Sequence, residues 1–362
     1  MDFGLSEEQR LLQDTVRRLL DEAYPTTRAR EISNTADAHD ASLHARLAEL
    51  GALGTLVPET HGGNGLSFLD AMLVAEELGR AAAPGAFLAT GVLAVTALRE
   101  CGNETLCKEI LPEIAAGRTR IGVGLAESYA VRDGAGVRIE RGRLQGTALF
   151  ALDAVGADRL LVHCAGGLAL LSAREAGVGV IPLDSVDRTR RIAELRFAGV
   201  EPVALLEGTP RALAAGRIAL AFDTLGACSR ALELALAYAS ERKQFGRVIG
   251  SFQAVKHMLA EIAAALEPAR SLAWYAAHAF EHEPADALRL AALAKAHVSE
   301  VATEVLRKAT EVHGGIGFTE QYDLHLWFRR VALSRPLLGG PELLRDEAAR
   351  LRGWGASSLG VP

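Results

Sequence analysis

The hydrophobic period of this 362-residue chain changes twice, and the two changes restrict the folds open to it. Up to about residue 118, apolar residues recur three or four apart, as on a helix with one buried face. Ser6 and Gln9 fit a capping box, and Leu11, Leu12, Val16, Leu19 and Leu20 form the stripe behind it. A second helix is expected over roughly 41–50, closed by Gly51, and another over about 67–83. Near Arg120 the spacing becomes that of strands. Short apolar runs at 121–125, 137–139, 144–152, 159–162, 168–171 and 178–182 are divided by turn residues, and this grammar lasts to about Leu206. From Pro210 helical spacing returns. Over 284–310, Leu290, Ala294, Val298, Val301 and Val305 make one stripe. The expectation is an α+β chain: an N-terminal α domain (1–118), a middle β domain (119–206) and a C-terminal four-helix bundle (207–362).

Charge and cysteines narrow the function. A net charge of −6 gives no electrostatic footprint for nucleic acid or an anionic membrane. No apolar run reaches membrane-spanning length on this reading, and Met-Asp-Phe-Gly-Leu-Ser-Glu-Glu lacks the order of a signal peptide, so a cytoplasmic location is expected. Cys101, Cys107, Cys164 and Cys228 are too scattered for a disulfide framework or a Cys-x-x-Cys metal site. His278-Ala-Phe-Glu-His282 fits a zinc-hydrolase pattern, but it lies at a helix end with no evident third ligand, and no metal is expected.

One stretch concentrates cations. Leu225, Cys228, Leu232, Ala235 and Ala239 stripe one helix; Phe252, Val255, Leu259, Ile262 and Leu266 stripe the next. Between them Gly246 and Gly250 are expected to stop the first helix, and Ser251 to cap the second. Arg242, Lys243, Arg247 and Gln253 therefore meet at an elbow beside a helix N-terminus, a place suited to a phosphate.

That elbow, with Arg242, Gln244, Phe245, Gly246 and Gln253, resembles the signature of the acyl-CoA dehydrogenase family. Two further phrases are similar to the same family: Pro58-Glu-Thr-His-Gly-Gly-Asn-Gly-Leu-Ser67, and Glu311-Val-His-Gly-Gly-Ile-Gly-Phe-Thr-Glu320. The resemblance covers essentially the whole chain. It implies FAD as cofactor, with Arg242, Gln244, Phe245, Gln253, Glu311, Gly314 and Gly315 touching the nucleotide half of a flavin seated mainly in a neighbouring chain. Glu311 departs from the family's Gln, and a carboxylate there must turn toward a hydroxyl or a cation.

The family's reaction needs a carboxylate base in an apolar pocket to take a proton from the α-carbon of an acyl thioester. The two positions where the family keeps that base hold Gly339 and Gly216 here, the latter beside Arg217, which the resemblance places at the substrate. Glu342 and Asp223 are the remaining acidic candidates nearby. The phrases that line the flavin ring are also altered, reading Leu125-Ala-Glu-Ser128 and Phe150-Ala-Leu152. The expectation is the shortened subunit of an α2β2 dehydrogenase resembling actinobacterial steroid-type enzymes. A partner subunit is expected to supply the base, the substrate is expected to be an acyl-CoA, and the resemblance implies electron-transferring flavoprotein as acceptor. Gly216 and Gly339 either leave a wide cavity for a bulky steroid acid or line a pocket that no substrate enters. The alternatives are a homo-oligomeric flavoenzyme with a displaced base, or a non-catalytic structural or acyl-CoA-binding subunit.

Overall fold

The computed structural model describes residues 4–354; the outer ends of the first and last expected domains lie outside the described residues. The first helices are α1 (Glu7–Ala23), α2 (Thr26–Ser33), α3 (Ala41–Glu49) and α4 (Phe68–Arg80), followed by α5 (Val95–Glu100) and α6 (Glu104–Ala115). The capping box of α1 forms between Ser6 and Gln9, and Val16 and Leu20 enter the core. Leu11 does not; it is 63% exposed, so the buried stripe is narrower than its apolar residues suggest. The apolar spacing that reads as helical up to about residue 118 does not set α2 apart, a short helix with a weak stripe. Before α5 the wholly buried run Phe87–Ala94 winds as a π-helix, pinned to the sheet by Thr90, whose hydroxyl donates to Ile121 O and accepts from Ile121 N (3.1 and 2.8 Å). Ser67 and Asp70 form a capping box at the start of α4.

Eight strands make the middle sheet: β1 (Ile121–Gly124), β2 (Gly136–Glu140), β3 (Arg143–Leu152), β4 (Arg159–Cys164), β5 (Gly167–Ser172), β6 (Val178–Leu183), β7 (Ile192–Val200) and β8 (Ala204–Leu206). Their order is β6-β7-β3-β1-β4-β5-β8, with β2 also on β3; only β1 and β4 run parallel. β7 had not been separated as a strand by its apolar runs. β3 carries a register shift between Ala148 and Ala151, which bulges Leu149 and Phe150 out of the ladder and puts Phe150 at φ +54°.

The remaining helices are α7 (Thr209–Glu241), α8 (Gln253–His282), α9 (Pro284–His313), α10 (Leu324–Ser334) and α11 (Pro341–Leu351). One continuous core joins the N-terminal helices to this bundle, and a second fills the sheet. By length and composition α7 could cross a membrane, contrary to the reading that no run reaches that length; 94% of its apolar window is buried in this fold. The elbow differs in detail from expectation. Between α7 and α8 lies a hairpin of β9 (Lys243–Gln244) and β10 (Arg247–Val248), turned at Phe245 (φ +51°) and Gly246 (φ +79°). Gly246 thus makes a hairpin turn, and Arg242 itself ends α7. Ser251 does not cap α8: its hydroxyl donates to Val248 O (2.7 Å), and Phe252 stands at the cap with no side-chain bond.

Candidate functional site

Two surfaces carry the residues singled out by the sequence. The first is the elbow end of the bundle. Arg242 closes α7, its N–H donating to Tyr238 O and its C=O accepting from Ile249 N (2.8 Å each). Arg242, Lys243, Gln244 and Gln253 are exposed, and among the described residues no carboxylate pairs with Arg242, Lys243 or Arg247. The Arg247 guanidinium lies 4.1 Å from the centre of the Phe252 ring, and Phe245 meets that ring edge-on. Phe245 is 91% exposed at the tip of the hairpin in a left-handed conformation, strain of the kind proteins keep at functional positions. Because no side chain caps α8, its first N–H groups remain open to an anion.

The glycine turn after α9 joins the same end. Gly314 (φ +64°) ends the helix, a Cβ at Gly314 or Gly315 would meet nothing within 4 Å, and Phe318 beyond them is 79% exposed. Glu311 turns away from the loop to pair with Arg307, which also holds Glu304. The departure from the family's residue is therefore neutralised within its own helix. Basic side chains, open backbone N–H groups and two exposed aromatic rings form a donor set that fits a pyrophosphate and a nucleoside.

The second surface lies where sheet and bundle meet. The bulge in β3 frees the Leu149 N–H from its ladder, and the Glu127 carboxylate accepts it at 3.0 Å. Phe150, the position that should back a flavin ring, lies 5.4 Å from the Arg132 guanidinium, which also lies 5.6 Å from the Tyr129 ring. Arg132 donates to Ala126 O and Ala130 O, locking this stack. Tyr129 in turn lies against the Leu338 backbone, in the turn where a base is expected, and burial pushes its phenol up. Glu127 falls in the Leu125–Ser128 phrase already noted, but nothing in the sequence marked Arg132 or Tyr129 for this role; the bulge that gathers them has no local signature.

Among the described residues, neither expected base position nor the two acidic candidates named from the sequence offers a free carboxylate; Glu127 engages one oxygen on Leu149 N, and its other oxygen is buried without a partner. A Cβ at Gly216 would lie 2.5 Å from Leu93 Cδ2 and 2.8 Å from Leu338 Cδ1, so the missing side chain is replaced by packed leucines. At Gly216 this corrects the wide-cavity alternative. Gly339 has φ +111°, and a Cβ there would lie 2.8 Å from Leu344 Cδ2. Asp223 is buried, accepting from Arg190 (2.9 Å) and from Arg330 twice (3.0 and 2.6 Å). Burial alone would raise its carboxyl, but those two guanidiniums outweigh it and hold it below the usual range. So low a carboxyl, with its oxygens already engaged, argues against a proton acceptor. Glu342 lies at the surface, paired with Arg335 (2.8 Å); its own N–H and Arg335 keep its carboxyl low. Arg217 is buried and wholly committed: bidentate to Glu347 (2.7 and 2.8 Å), with Nε donating to Leu338 O (2.9 Å). It still edges a cavity of about 320 Å³ with Ser128, Tyr129, Leu213, Leu343 and Glu347. In the His278–His282 pattern, Glu281 accepts from Phe68 N (2.8 Å) and so caps α4 from the side.

Comparison with known proteins matches residues 6–118 to the acyl-CoA dehydrogenase N-terminal domain and 209–351 to the acyl-CoA dehydrogenase C-terminal domain. The chain is 31% identical to acyl-CoA dehydrogenase IpdE2 of Mycobacterium tuberculosis, over 94% of this chain and 96% of that protein. Among solved structures it is similar to a variant of the Tcur3481–Tcur3483 steroid ACAD (31% identity, TM-score 0.89, 97% of this chain and 99% of the other). It is similar also to a chain of the ChsE4–ChsE5 complex from Mycobacterium tuberculosis (25% identity, TM-score 0.90, 100% of each chain).

Proposed function

Because this chain belongs to the acyl-CoA dehydrogenase family, whose members are FAD-dependent oxidoreductases acting on CH–CH bonds, we propose that it works as the non-basic half of a two-chain dehydrogenase. In this reading it reaches across an interface to the nucleotide half of a FAD whose ring lies in the other subunit. Arg242 offsets pyrophosphate charge with a planar fork, Gln244 and Gln253 offer amides, and Phe245, Gly314 and Gly315 bring an aromatic face and open backbone against the nucleoside. FAD, when bound, supplies the hydride acceptor. The partner supplies the carboxylate that takes the α-proton from an acyl-CoA, and the assembly is an α2β2 tetramer that hands electrons to electron-transferring flavoprotein. The two solved relatives named as a steroid ACAD and as a two-component complex support a steroid-CoA substrate and a paired assembly. The cytoplasm is the proposed compartment.

One observation carries the reading: unpaired cations and open backbone at the elbow coexist with glycines, closed in by leucines, at both expected base positions. The test is to purify the chain alone and together with the acyl-CoA dehydrogenase-like partner, and to record flavin absorbance before and after acyl-CoA. Flavin held and bleached only in the mixture is expected. Arg242→Ala should strip FAD from the mixture while leaving its assembly intact. A lone chain that binds flavin and bleaches it with acyl-CoA would instead establish a homo-oligomeric enzyme. Flavin in neither preparation would leave a structural subunit.

A further inference from the structure

Arg242 and Gly314 belong to different helices, yet both must face one nucleotide, and three aromatic rings stand between them. Tyr238 lies on α7 one turn before Arg242. His313 is the last residue of α9, directly before Gly314, and Tyr322 lies in the segment leading to α10. The Tyr238 and His313 ring centres are 4.7 Å apart, those of His313 and Tyr322 4.7 Å, and those of Tyr238 and Tyr322 5.9 Å. His313 is buried, and its Nδ1–H donates to Ala309 O at 2.7 Å, which fixes the ring plane on its own helix. We propose that Tyr238, His313 and Tyr322 form a positioning latch that holds the elbow and the Gly314–Gly315 turn in one register; this rests on the trans-binding reading above.

The physical need is specific. Helix ends fray, and both nucleotide-facing phrases hang from helix ends. The hairpin after Arg242 is exposed throughout its turn, and the glycines after His313 have no side chains to anchor them. Three mutually packed rings convert two loose ends into one preorganised surface, so that less ordering is required when the nucleotide docks. In the proposal the three act through Arg242 and the glycine turn and are positioning residues.

The experiment uses the complex of this chain with its partner and measures the FAD dissociation constant by flavin fluorescence, alongside the melting temperature of the FAD-free complex. Tyr238→Ala should weaken FAD binding about tenfold, the scale of losing two aromatic contacts, with the melting temperature of the FAD-free complex little changed. Tyr238→Phe, which keeps the ring, should bind FAD as the parent does. Combined with Arg242→Ala, the Tyr238→Ala change should add little, since the latch works through that arginine. Unchanged FAD affinity in Tyr238→Ala, while Arg242→Ala loses FAD, would overturn the latch and leave the trans-binding reading standing. FAD binding lost only in step with the melting temperature, or lost equally in Tyr238→Phe, would also overturn it. If Arg242→Ala too leaves FAD in place, the trans-binding reading falls and the latch with it. Should Tyr238→Ala fail to assemble, Tyr322→Leu, whose ring is half-buried, is read by the same outcomes.

Discussion

At Gly216, where the resemblance puts a base, a glutamate is expected not to restore one. The new side chain would start against Leu93 and Leu338, both almost wholly buried, and would bring a charge beside an arginine already satisfied by Glu347. Gly216→Glu should therefore lower stability by roughly 3 kcal/mol, from overpacking plus a poorly solvated carboxylate. The urea midpoint measures the loss, and the lone chain should still fail to bleach flavin with acyl-CoA. A variant that keeps its midpoint and gains activity would show that the seat is open. The grouping of near neighbours in sequence, such as Arg242 beside Phe245 and Gly246, was legible from the words alone. Asp223 was not. Its character is set by Arg190, from the segment before β7, and by Arg330 of α10, and no spacing along the chain announces that meeting.

Between elements, α4 and α7 cross with their backbones in close contact. A Cβ at Gly79 would lie 1.9 Å from Asp223 O, and one at Gly226 would lie 1.8 Å from Glu76 O, so the two backbones touch. Each glycine weakens its own helix by about 1 kcal/mol relative to alanine, which the close packing offsets. Gly226→Ala should accordingly destabilise rather than stabilise, by roughly 1–3 kcal/mol or more, read as a lower urea midpoint with an unchanged slope. An increase in midpoint would mean that the helices separate freely. That crossing also fixes the height of Asp223 and Arg217 on α7 relative to the sheet. The helices α1, α3, α4, α7, α8 and α9 were visible as periods, and so were six of the strands. The π-helix at Phe87–Ala94 was not, because a run that is apolar on every side has no period to read. The bulge in β3 was missed for a related reason: one extra residue in a strand changes the direction of side chains without changing composition.

Over the whole molecule, one buried and three part-buried histidines should set an acid limit. Burial pushes His39 down to about 4, and burial likewise lowers His44, His163 and His313. In the unfolded chain these groups take up protons near 6.5, so below that pH the unfolded state binds more protons and stability falls as pH drops toward 4. Burial moves Asp153 up to about 6 and raises Glu76; these two act in the opposite direction and offset part of the loss. The urea midpoint should be lower at pH 5 than at pH 7.5, and an equal or higher midpoint at pH 5 would refute the balance. The sequence by itself determined the succession of helices, sheet and helices, and the family resemblance in the elbow and glycine phrases, since periodicity and turn chemistry are properties of neighbouring residues. Only the tertiary structure decided that Leu93 and Leu338 close over Gly216, that Arg132 stacks beside Phe150, and that three rings pack between two helix ends. Those outcomes depend on which distant side chains share a volume from which water is excluded, and exclusion of water sets both packing and charge.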